Sequence, residues 1–379
     1  MNIKKIFKKL SKKKPGRDSG GIINLYKTDY QKHVLISYIT APFISENHFT
    51  HQNYLTSHIV AESFSELGYN VDVVDYFDAS GIDYDKYAVI FGFGLGLEHS
   101  FYTSNRKTPR IYFVTGAHHY LHNAMSLRSI KDFYALSGLW LAKEGHVLTD
   151  CSYYSMFNSD FAIILAQGYI LEDYKSRFAN TVYSLNNNII NVFSDLKSSD
   201  SAFRKKNFLF LSGARQITKG LPLLLEIAKI RKDLNFHVVV PSINAALENY
   251  YKDVFEGTNV FLHRNIRMDS DEMKDIIKNC SYSIAPSYID GLPGGTIEPM
   301  SAGLIPIVSR YCGFPEEEFI FEMEELSVPC LNHIIDKVLG MNDDTYIKYS
   351  NAVKAYACEN FSADYVKKEL IRILKLESL

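Results

Sequence analysis

Two carboxylates, Asp290 and Glu298, stand eight positions apart in the stretch "SYIDGLPGGTIEPMSAGLIPIVS", residues 287–309. Between them lie Gly294 and Gly295, whose permissive backbone lets a ligand approach the chain closely. The residues that follow predict a helix start, where free N–H groups and the helix dipole favour an anion such as a phosphate. Acids on both sides of an anion site indicate a ligand that also carries hydroxyl groups.

A second phosphate-binding feature precedes this stretch. The segment "SGARQITKG" at 212–220 has the pattern of a strand, a small-residue turn and a helix start, and it carries Arg215 and Lys219. Two cations beside a helix start suit a diphosphate, because each charged hydrogen bond contributes roughly 1.5–3 kcal/mol. Glu298 can accept hydrogen bonds from a ribose diol, which leaves Asp290 to face a sugar. These features indicate a site for a nucleotide-diphosphate sugar.

The two acids also allow a purely structural interpretation. Asp290 can be a solvated turn residue, and Glu298 can complement a helix dipole, which stabilises a helix by about 0.3–1 kcal/mol. The presence of Lys219, of the glycine pair and of the apolar strand that follows favours the ligand site.

The same motifs resemble a known family. The segment from Gly213 to Gly220, the run Asp290-Gly-Leu-Pro, Glu298 and "MSAGLIPIVSRYCGFPE" are similar to the donor-binding half of the group-one glycosyltransferases, enzymes of family four with the GT-B fold. The resemblance covers residues 207–318. The family has two glutamates separated by seven residues, and this chain keeps the spacing with an aspartate in the first position.

The resemblance implies roles for individual residues. Lys219 would neutralise the diphosphate, Glu298 would bind the ribose, and Asp290 would act with Lys219 in catalysis. The donor would contact Gly213, Arg215, Lys219, Gly294, Gly295, Thr296 and Glu298. The family transfers a sugar with retention of configuration and without a metal ion. We therefore expect no metal and no cofactor, the nucleotide sugar being a substrate.

The segment "YFVTGAHHYLHN" at 112–123 ends a predicted strand with three histidines. In the family a histidine after such a strand often contacts the donor sugar, and the resemblance gives this catalytic role to His118 or His119. An ordinary polar loop is a second interpretation. A metal site is a third, because His118 and His122 have the spacing of two ligands on a helix, although no glutamate stands between them.

The segment "FGFGLGLEHS" at 91–100 partly matches a dinucleotide fingerprint. It lacks the third glycine and follows the third predicted strand rather than the first, so the match is weak. We expect Gly92, Gly94 and Gly96 to let this loop pass close to a cleft where an acceptor enters.

Strands and helices must alternate along the chain to position these motifs. Apolar runs such as 33–39 and 207–213 predict strands buried on both faces, and amphipathic segments between the strands predict helices, one of them over 126–145. The alternation predicts an α/β protein with two tandem doubly wound Rossmann-like domains. The resemblance adds the GT-B architecture with its interdomain cleft.

Four regions are expected. A basic arm at 1–20 precedes an N-terminal acceptor domain at 30–200, and a nucleotide-sugar-binding domain follows at 205–355. The polar stretch 186–206 would connect the two domains. The resemblance implies that the last helical segment, 356–379, packs back on the N-terminal domain.

The composition is that of a globular protein, with 46% hydrophobic and 22% charged residues in 379. Five scattered cysteines without a CxxC pair indicate a reducing compartment rather than a disulfide framework. No apolar run approaches the length of a membrane-spanning helix, and no signal-peptide pattern is present. We therefore expect a cytoplasmic protein.

Residues 1–17 carry eight Lys and Arg and no acid. Because the whole chain has a net charge of −2, the remainder is acidic, which excludes a general nucleic-acid-binding surface. Apolar residues at helical spacing in the arm allow two interpretations. It is a short amphipathic helix on the anionic inner face of a membrane, or a disordered solubilising tail.

The residues and the resemblance together predict a metal-independent retaining glycosyltransferase of the hexosyltransferase type. It would transfer a sugar from a nucleotide-diphosphate sugar to a glycan or lipid-linked acceptor in cell-surface polysaccharide synthesis. Two alternatives are a nucleotide-sugar epimerase of the same architecture and a catalytically inactive relative that binds glycan or serves as a scaffold.

Overall fold

The computed structural model describes residues 21–45, 52–148, 152–196 and 205–379. The predicted basic arm at 1–20 lies outside the described residues. The predicted α/β fold is confirmed, because the described residues form two parallel six-stranded sheets with helices between successive strands. Parallel strands cannot be joined by tight hairpins, and these helices supply the crossover connections.

Within the described chain, the first sheet has the strand order β2-β1-β3-β4-β5-β6. Its central strands are buried along their length because helices cover both faces, which explains their nearly continuous apolar sequence. The strands are β1 (Lys32–Tyr38), β2 (Tyr69–Asp75), β3 (Val89–Gly92), β4 (Arg110–Val114), β5 (Phe161–Ile164) and β6 (Thr181–Ser184).

The helices of the first domain pack on both faces of this sheet. They are α1 (Ala41–Ile44), α2 (Gln52–Glu66), α3 (Leu95–Ser100), α4 (His119–Ser137), α5 (Tyr153–Asn158) and α6 (Gly168–Lys175). Short 3₁₀ turns cover Tyr84–Lys86 and Ala142–Glu144.

The second sheet has the order β12-β11-β10-β7-β8-β9 among the described residues. Its strands are β7 (Asn207–Leu211), β8 (Asn235–Val240), β9 (Val260–Arg264), β10 (Tyr282–Ala285), β11 (Ile305–Ser309) and β12 (Phe321–Met323). Its helices are α7 (Leu221–Ile230), α8 (Ala245–Tyr250), α9 (Lys252–Phe255), α10 (Asp271–Asn279), α11 (Gly294–Met300), α12 (Val328–Leu339) and α13 (Asp343–Asn360).

The helix predicted over 126–145 lies earlier in the chain. Helix α4 ends at Gly138, which has a φ of 72° and donates its N–H to the Tyr134 carbonyl at 2.8 Å. Glycine adopts this left-handed conformation without steric cost and therefore terminates the helix. The apolar residues Leu139 and Leu141, which extended the predicted helix, pack against the core of the second domain instead.

The last helix, α14 (Ala363–Leu376), packs against α2 of the first domain. Its buried side chains belong to the core of the first sheet and are Val366, Leu370, Ile373 and Leu374. The predicted boundary at 356 falls inside α13, so the segment that returns to the first domain begins at Ala363. In the described part of the chain, no helix is both long and apolar enough to cross a membrane.

The described part of the interdomain connection is tied to both domains. Asn188 accepts a hydrogen bond from the Thr56 hydroxyl at 2.6 Å, and the Asn187 amide donates to the Leu292 carbonyl at 3.0 Å. Phe193 is fully buried in the second domain. The connection therefore helps to fix how the two domains face each other.

Candidate functional site

A cleft of about 470 Å³ lies between the two domains. Strands β7 and β10 are neighbours in the second sheet, although β8 and β9 lie between them in sequence. Open α/β sheets bind ligands beyond the carboxyl ends of their strands at such a reversal of strand order. The segments after β7 and β10 supply most of the cleft lining, and Thr115 after β4 faces them from the first domain.

The loop after β7 makes a tight turn before α7. Arg215 has a φ of 65°, a left-handed conformation that is uncommon for residues other than glycine. The Lys219 N–H donates to the Arg215 carbonyl at 3.1 Å, which closes the turn. Gly220 has a φ of 83°, and a Cβ there would overlap the Pro286 carbonyl after β10. Glycine therefore lets the loops after β7 and β10 touch.

Lys219 and Asp290 form an ion pair in the cleft. Their side chains are 28% and 16% exposed, so a ligand in the cleft can reach the pair. The Asp290 N–H donates to the Tyr311 carbonyl at 2.8 Å, which anchors the loop that carries the acid. A Cβ at the next residue, Gly291, would lie 2.9 Å from the Cα of Gly116. The first domain therefore lies directly against the loop that carries Asp290.

Gly294 and Gly295 begin α11, and another part of the protein lies against each of them. A Cβ at Gly295 would overlap the Leu211 carbonyl oxygen at the end of β7. A Cβ at Gly294 would overlap the side-chain amide of Gln52, which comes from the first domain. Both glycines and Thr296 line the cleft together with Gln52. The glycine pair thus allows close packing against Leu211 and Gln52, and it also lines the cleft.

Glu298 lies behind the cleft wall and is fully buried. Its Oε1 accepts hydrogen bonds from the Ile190 N–H and, at 3.4 Å, from the Gln52 amide. Its Oε2 has no hydrogen-bond partner among the described residues. Burial raises the pKa of Glu298 to about 7, although the Ile190 backbone, the Gln52 side chain and the Asn191 backbone each lower it. Because Gln52 both lines the cleft and bonds to Glu298, a ligand reaches this carboxylate only if Gln52 moves.

His118 and His119 do not line the cleft. The His118 ring packs near Tyr120 and Tyr174, and its Nδ1 accepts a hydrogen bond from the Tyr120 N–H at 3.2 Å as the N-cap of α4. Burial lowers the pKa of His118 to about 4. The Nε2 of His119 lies 3.4 Å from the Tyr112 hydroxyl.

His122, one turn after His118 on α4, does not line the cleft either, but the charges of both Lys219 and Asp290 affect its pKa. Burial lowers the pKa of His122 to about 4, and the charge of Lys219 lowers the pKa while that of Asp290 raises it. His146 packs against it with ring centroids 4.9 Å apart. Among the described residues, no group of three or more His, Cys, Asp and Glu is arranged to hold a metal ion.

The structure brings most of the predicted donor residues to one cleft. Those that line it are Gly213, Arg215, Lys219, Asp290, Gly294, Gly295 and Thr296. Sequence reasoning missed three polar residues that face them: Gln52, Thr115 and Asn187. Thr115 directly follows a buried strand, which is a usable signal. Gln52 and Asn187 reach the site only through contacts between the domains, and no local pattern marks them.

Residues 193–320 match the family model described as glycosyl transferases group 1. The second domain is therefore similar to the group 1 glycosyl transferases over most of its length. The matched region contains the loops after β7 and β10 that carry Lys219 and Asp290. No curated protein sequence matches the chain.

Several solved structures share the fold of this chain at low sequence identity. Sucrose-phosphate synthase from Thermosynechococcus elongatus has a TM-score of 0.62 and 12% identity, over 91% of this chain and 98% of that one. Anabaena HepE, in complex with UDP and glucose, has a TM-score of 0.54 and 12% identity, over 92% of this chain and 100% of that one. These likenesses confirm the GT-B architecture.

A third similar structure is that of TarM from S. aureus, with a TM-score of 0.51 and 15% identity. The similarity covers 75% of this chain and only 54% of the TarM chain. The chain therefore spans about half the length of TarM.

Proposed function

We propose that the chain transfers a sugar from a nucleotide-diphosphate sugar to a glycan or lipid-linked acceptor, with retention of configuration and without a metal ion. The observation that carries this proposal is the Lys219–Asp290 ion pair in the interdomain cleft, with Arg215 on the same loop as the lysine. A diphosphate requires cations, and a sugar hydroxyl requires a hydrogen-bond acceptor. Lys219 and Asp290 supply both at the point where open α/β sheets bind ligands.

The proposed reaction breaks the bond between the sugar and the diphosphate. Lys219 and Arg215 neutralise the negative charge that develops on the departing diphosphate, which is the form of electrostatic stabilisation with the largest effect on rate. Asp290 accepts a hydrogen bond from a sugar hydroxyl, and the departing phosphate takes the proton of the acceptor hydroxyl. Closure of the first domain over the pair positions the reactants and excludes water.

Glu298 is the proposed ribose-binding residue, and Gln52 is its partner in the ligand-free protein. The Gln52 amide occupies one oxygen of the carboxylate. A ribose diol can displace this amide and satisfy both oxygens, including the one without a partner among the described residues. With a pKa of about 7, the carboxylate is mostly ionised, and thus an acceptor only, above neutral pH.

His122 is the proposed first-domain histidine for the donor sugar, although none of His118, His119 and His122 lines the cleft itself. Its support is the electrostatic interaction with both Lys219 and Asp290. Because burial keeps it neutral at physiological pH, it can form a hydrogen bond to a hydroxyl without repelling Lys219.

The comparisons suggest which donor to test first. The HepE structure contains UDP and glucose, and a TarM variant was solved with alpha-GlcNAc-glycerol and UDP. Uridine-diphosphate sugars are therefore the first candidates for this chain, followed by guanosine- and adenosine-diphosphate sugars. A role in cell-surface polysaccharide synthesis belongs to the same proposal.

The direct test is product analysis with a panel of these nucleotide sugars, with and without glycan acceptors. We expect transfer to an acceptor, and an α-linked product from an α-configured donor, by NMR. Conversion of the donor alone into an epimeric nucleotide sugar would favour the epimerase alternative. Failure to bind any nucleoside diphosphate would favour an inactive glycan-binding or scaffold protein.

We also propose that the protein works on the cytoplasmic side of a membrane, held by its basic arm. The support is the eight cations and the apolar residues at helical spacing in residues 1–17. Deletion of 1–17 should abolish sedimentation with anionic vesicles. Equal sedimentation of the full and the deleted chain would contradict a membrane role for the arm.

A further inference from the structure

An aromatic surface on the first domain is not used by the proposed donor site. Among the described residues, six rings follow one another with centroids 5.2–6.5 Å apart. We call this series the aromatic ladder, and its members in order are His99, Tyr102, Tyr154, Tyr153, Phe157 and Tyr120. It crosses the outer sides of α3, α5 and the first turn of α4.

Three members of the ladder are more than half exposed. Tyr102 is 68% exposed, Tyr153 is 62% exposed and Tyr120 is 58% exposed. Single exposed apolar residues are common on proteins, whereas contiguous exposed aromatic surface usually marks an interaction site. The exposed rings therefore need a partner that the fold itself does not supply.

A buried carboxylate holds the centre of the ladder in place. Glu98 of α3 is 5% exposed and accepts hydrogen bonds at 2.8 Å from the N–H groups of Tyr154 and Ser155 and from the Ser155 hydroxyl. Burial of an acid is costly unless it is fully hydrogen-bonded, and here it fixes the start of α5 against α3. Phe101 stacks on Tyr154 from beneath, with centroids 6.0 Å apart. The rings are thus pre-organised, which lowers the entropy lost on binding.

The chemistry of the ladder fits a neutral sugar chain. Tyrosine and histidine offer flat apolar faces for the C–H faces of sugar rings, and their polar tips can hydrogen-bond to hydroxyls. The large hydrophobic side chains exposed in and directly after α3, in α5 and in the first turn of α4 are all tyrosines, whereas a site for an acyl chain would expose aliphatic side chains. Exposed Arg106 and Lys107 lie on the loop after Tyr102 rather than within the ladder.

The ladder is continuous with the edge of the sheet that carries the cleft. Helices α3 and α4 both begin just beyond the carboxyl ends of their strands, β3 and β4. Thr115, at the carboxyl end of β4, lines the cleft, and Tyr120 lies five residues later in the first turn of α4. A chain that lies along the ladder can therefore extend one end toward the cleft.

We propose that the aromatic ladder binds the glycan chain of the acceptor, outside the donor cleft, through stacking of successive sugar rings. The biological role in this proposal rests on the proposed transfer function, but glycan binding can be tested separately. Several weak stacking contacts on one chain add up, so affinity should rise with acceptor length.

The test compares linear disaccharides with linear hexasaccharides of glucose, galactose and N-acetylglucosamine, by NMR titration of the full chain. We expect at least one hexasaccharide to bind at least tenfold more tightly than its disaccharide. The double variant Tyr102→Ala/Tyr153→Ala should lose at least tenfold in affinity, whereas Tyr102→Phe/Tyr153→Phe should retain most of it because the ring faces remain. Tyr134→Ala, half exposed but outside the ladder, is the matched control.

Two outcomes would overturn the proposal. One is that no hexasaccharide binds the unmodified protein, or that the double alanine variant binds as the unmodified protein does. The other is that the double variant loses only binding to anionic vesicles, which would assign the surface to lipid. Nucleoside-diphosphate binding, measured by thermal shift in every variant, should not change. If the unmodified protein binds the hexasaccharide through the ladder but binds no nucleotide, the glycan-binding proposal is supported and the proposed transfer function is contradicted.

Discussion

At the scale of single residues, Glu298 is the least expected feature of the site. It is fully buried, and one of its oxygens lacks a partner among the described residues. A buried acceptor without a donor costs about 1–3 kcal/mol, more if it is charged. A residue kept only for stability would not be in this state, whereas a residue that awaits the hydroxyls of a ligand would be.

Replacement of Glu298 by Gln should therefore stabilise the protein at high pH and weaken nucleotide binding. The pKa of about 7 in the folded protein lies above the ordinary value of 4.5, so the folded state binds more protons than the unfolded state between these values. Stability thus falls as pH rises through this window, and the neutral amide removes the effect. Calorimetry should show a higher Tm for Glu298→Gln than for the unmodified protein at pH 8, and nearly equal values at pH 5. A lower Tm at both pH values would contradict the buried-charge account.

His122→Ala should lower the transfer rate roughly tenfold, because it removes a positioned hydrogen-bonding group beside the ion pair. His119→Ala is the control from the same helix and should change the rate less, since the His119 Nε2 lies beside the Tyr112 hydroxyl instead. Steady-state rates with a saturating donor measure the difference. A larger loss for His119 than for His122 would restore the assignment made from the sequence.

The difference between these histidines shows what sequence reasoning resolves at this scale. The sequence predicted that Lys219 and Asp290 belong to one site. They meet there because the loops after neighbouring parallel strands converge. The resemblance to the family gave a role in the site to His118 or His119, but the His118 side chain folds back to accept the Tyr120 N–H as a helix cap. His122, one turn later, interacts with the ion pair instead. Which histidine of a helix start faces a cleft depends on the rotation of the helix, and the sequence does not specify that rotation.

At the scale of elements, the close approach of α11 to β7 sets the shape of the cleft. The glycine pair was predicted from ligand access alone, yet Gly295 faces the Leu211 carbonyl and Gly294 faces the Gln52 side chain. The long buried strands were predictable from their apolar runs, whereas β6 and β12 were missed because they are short edge strands of three or four residues. Helix α4 was displaced in the prediction because its apolar pattern continues past the terminating Gly138.

Gly295→Ala should destabilise the protein by roughly 1–3 kcal/mol, because the new methyl group meets backbone that cannot move without shifting β7. Gly294→Ala is the matched control, and it should cost less because the end of a flexible glutamine can move aside. Urea unfolding of the two variants gives the comparison. Equal midpoints would show that the contact with Leu211 does not constrain α11.

At the scale of the whole molecule, the chain crosses between its domains twice. The connection that contains Asn187 and Asn188 leads into the second domain, and α14 returns to the first. The alternation of strands and helices predicted both sheets. The contacts that hold them face to face could not be predicted, because residues such as Gln52 and Glu298 meet only after both domains have formed.

Leu370→Ala tests whether α14 is part of the first domain's core. Leu370 is fully buried there, and such truncations cost about 2–5 kcal/mol. Leu376→Ala, at an exposed position of the same helix, should stay within about 0.5 kcal/mol of the unmodified protein. Chemical denaturation monitored by circular dichroism distinguishes the two. If Leu370→Ala lowered the free energy of unfolding no more than Leu376→Ala does, α14 would not be part of the stabilising core of the first domain.

The central claim is that Lys219 binds a nucleotide diphosphate in the interdomain cleft, and titration calorimetry with UDP, GDP and ADP tests it most directly. The unmodified protein should bind at least one of them, and Lys219→Ala should weaken that binding roughly 10- to 100-fold, as expected for the loss of one charged hydrogen bond. Lys229→Ala, a lysine paired with Glu226 outside the cleft, should bind like the unmodified protein. Absence of heat with all three nucleotides, or equal affinity of the Lys219→Ala variant and the unmodified protein, would contradict the account.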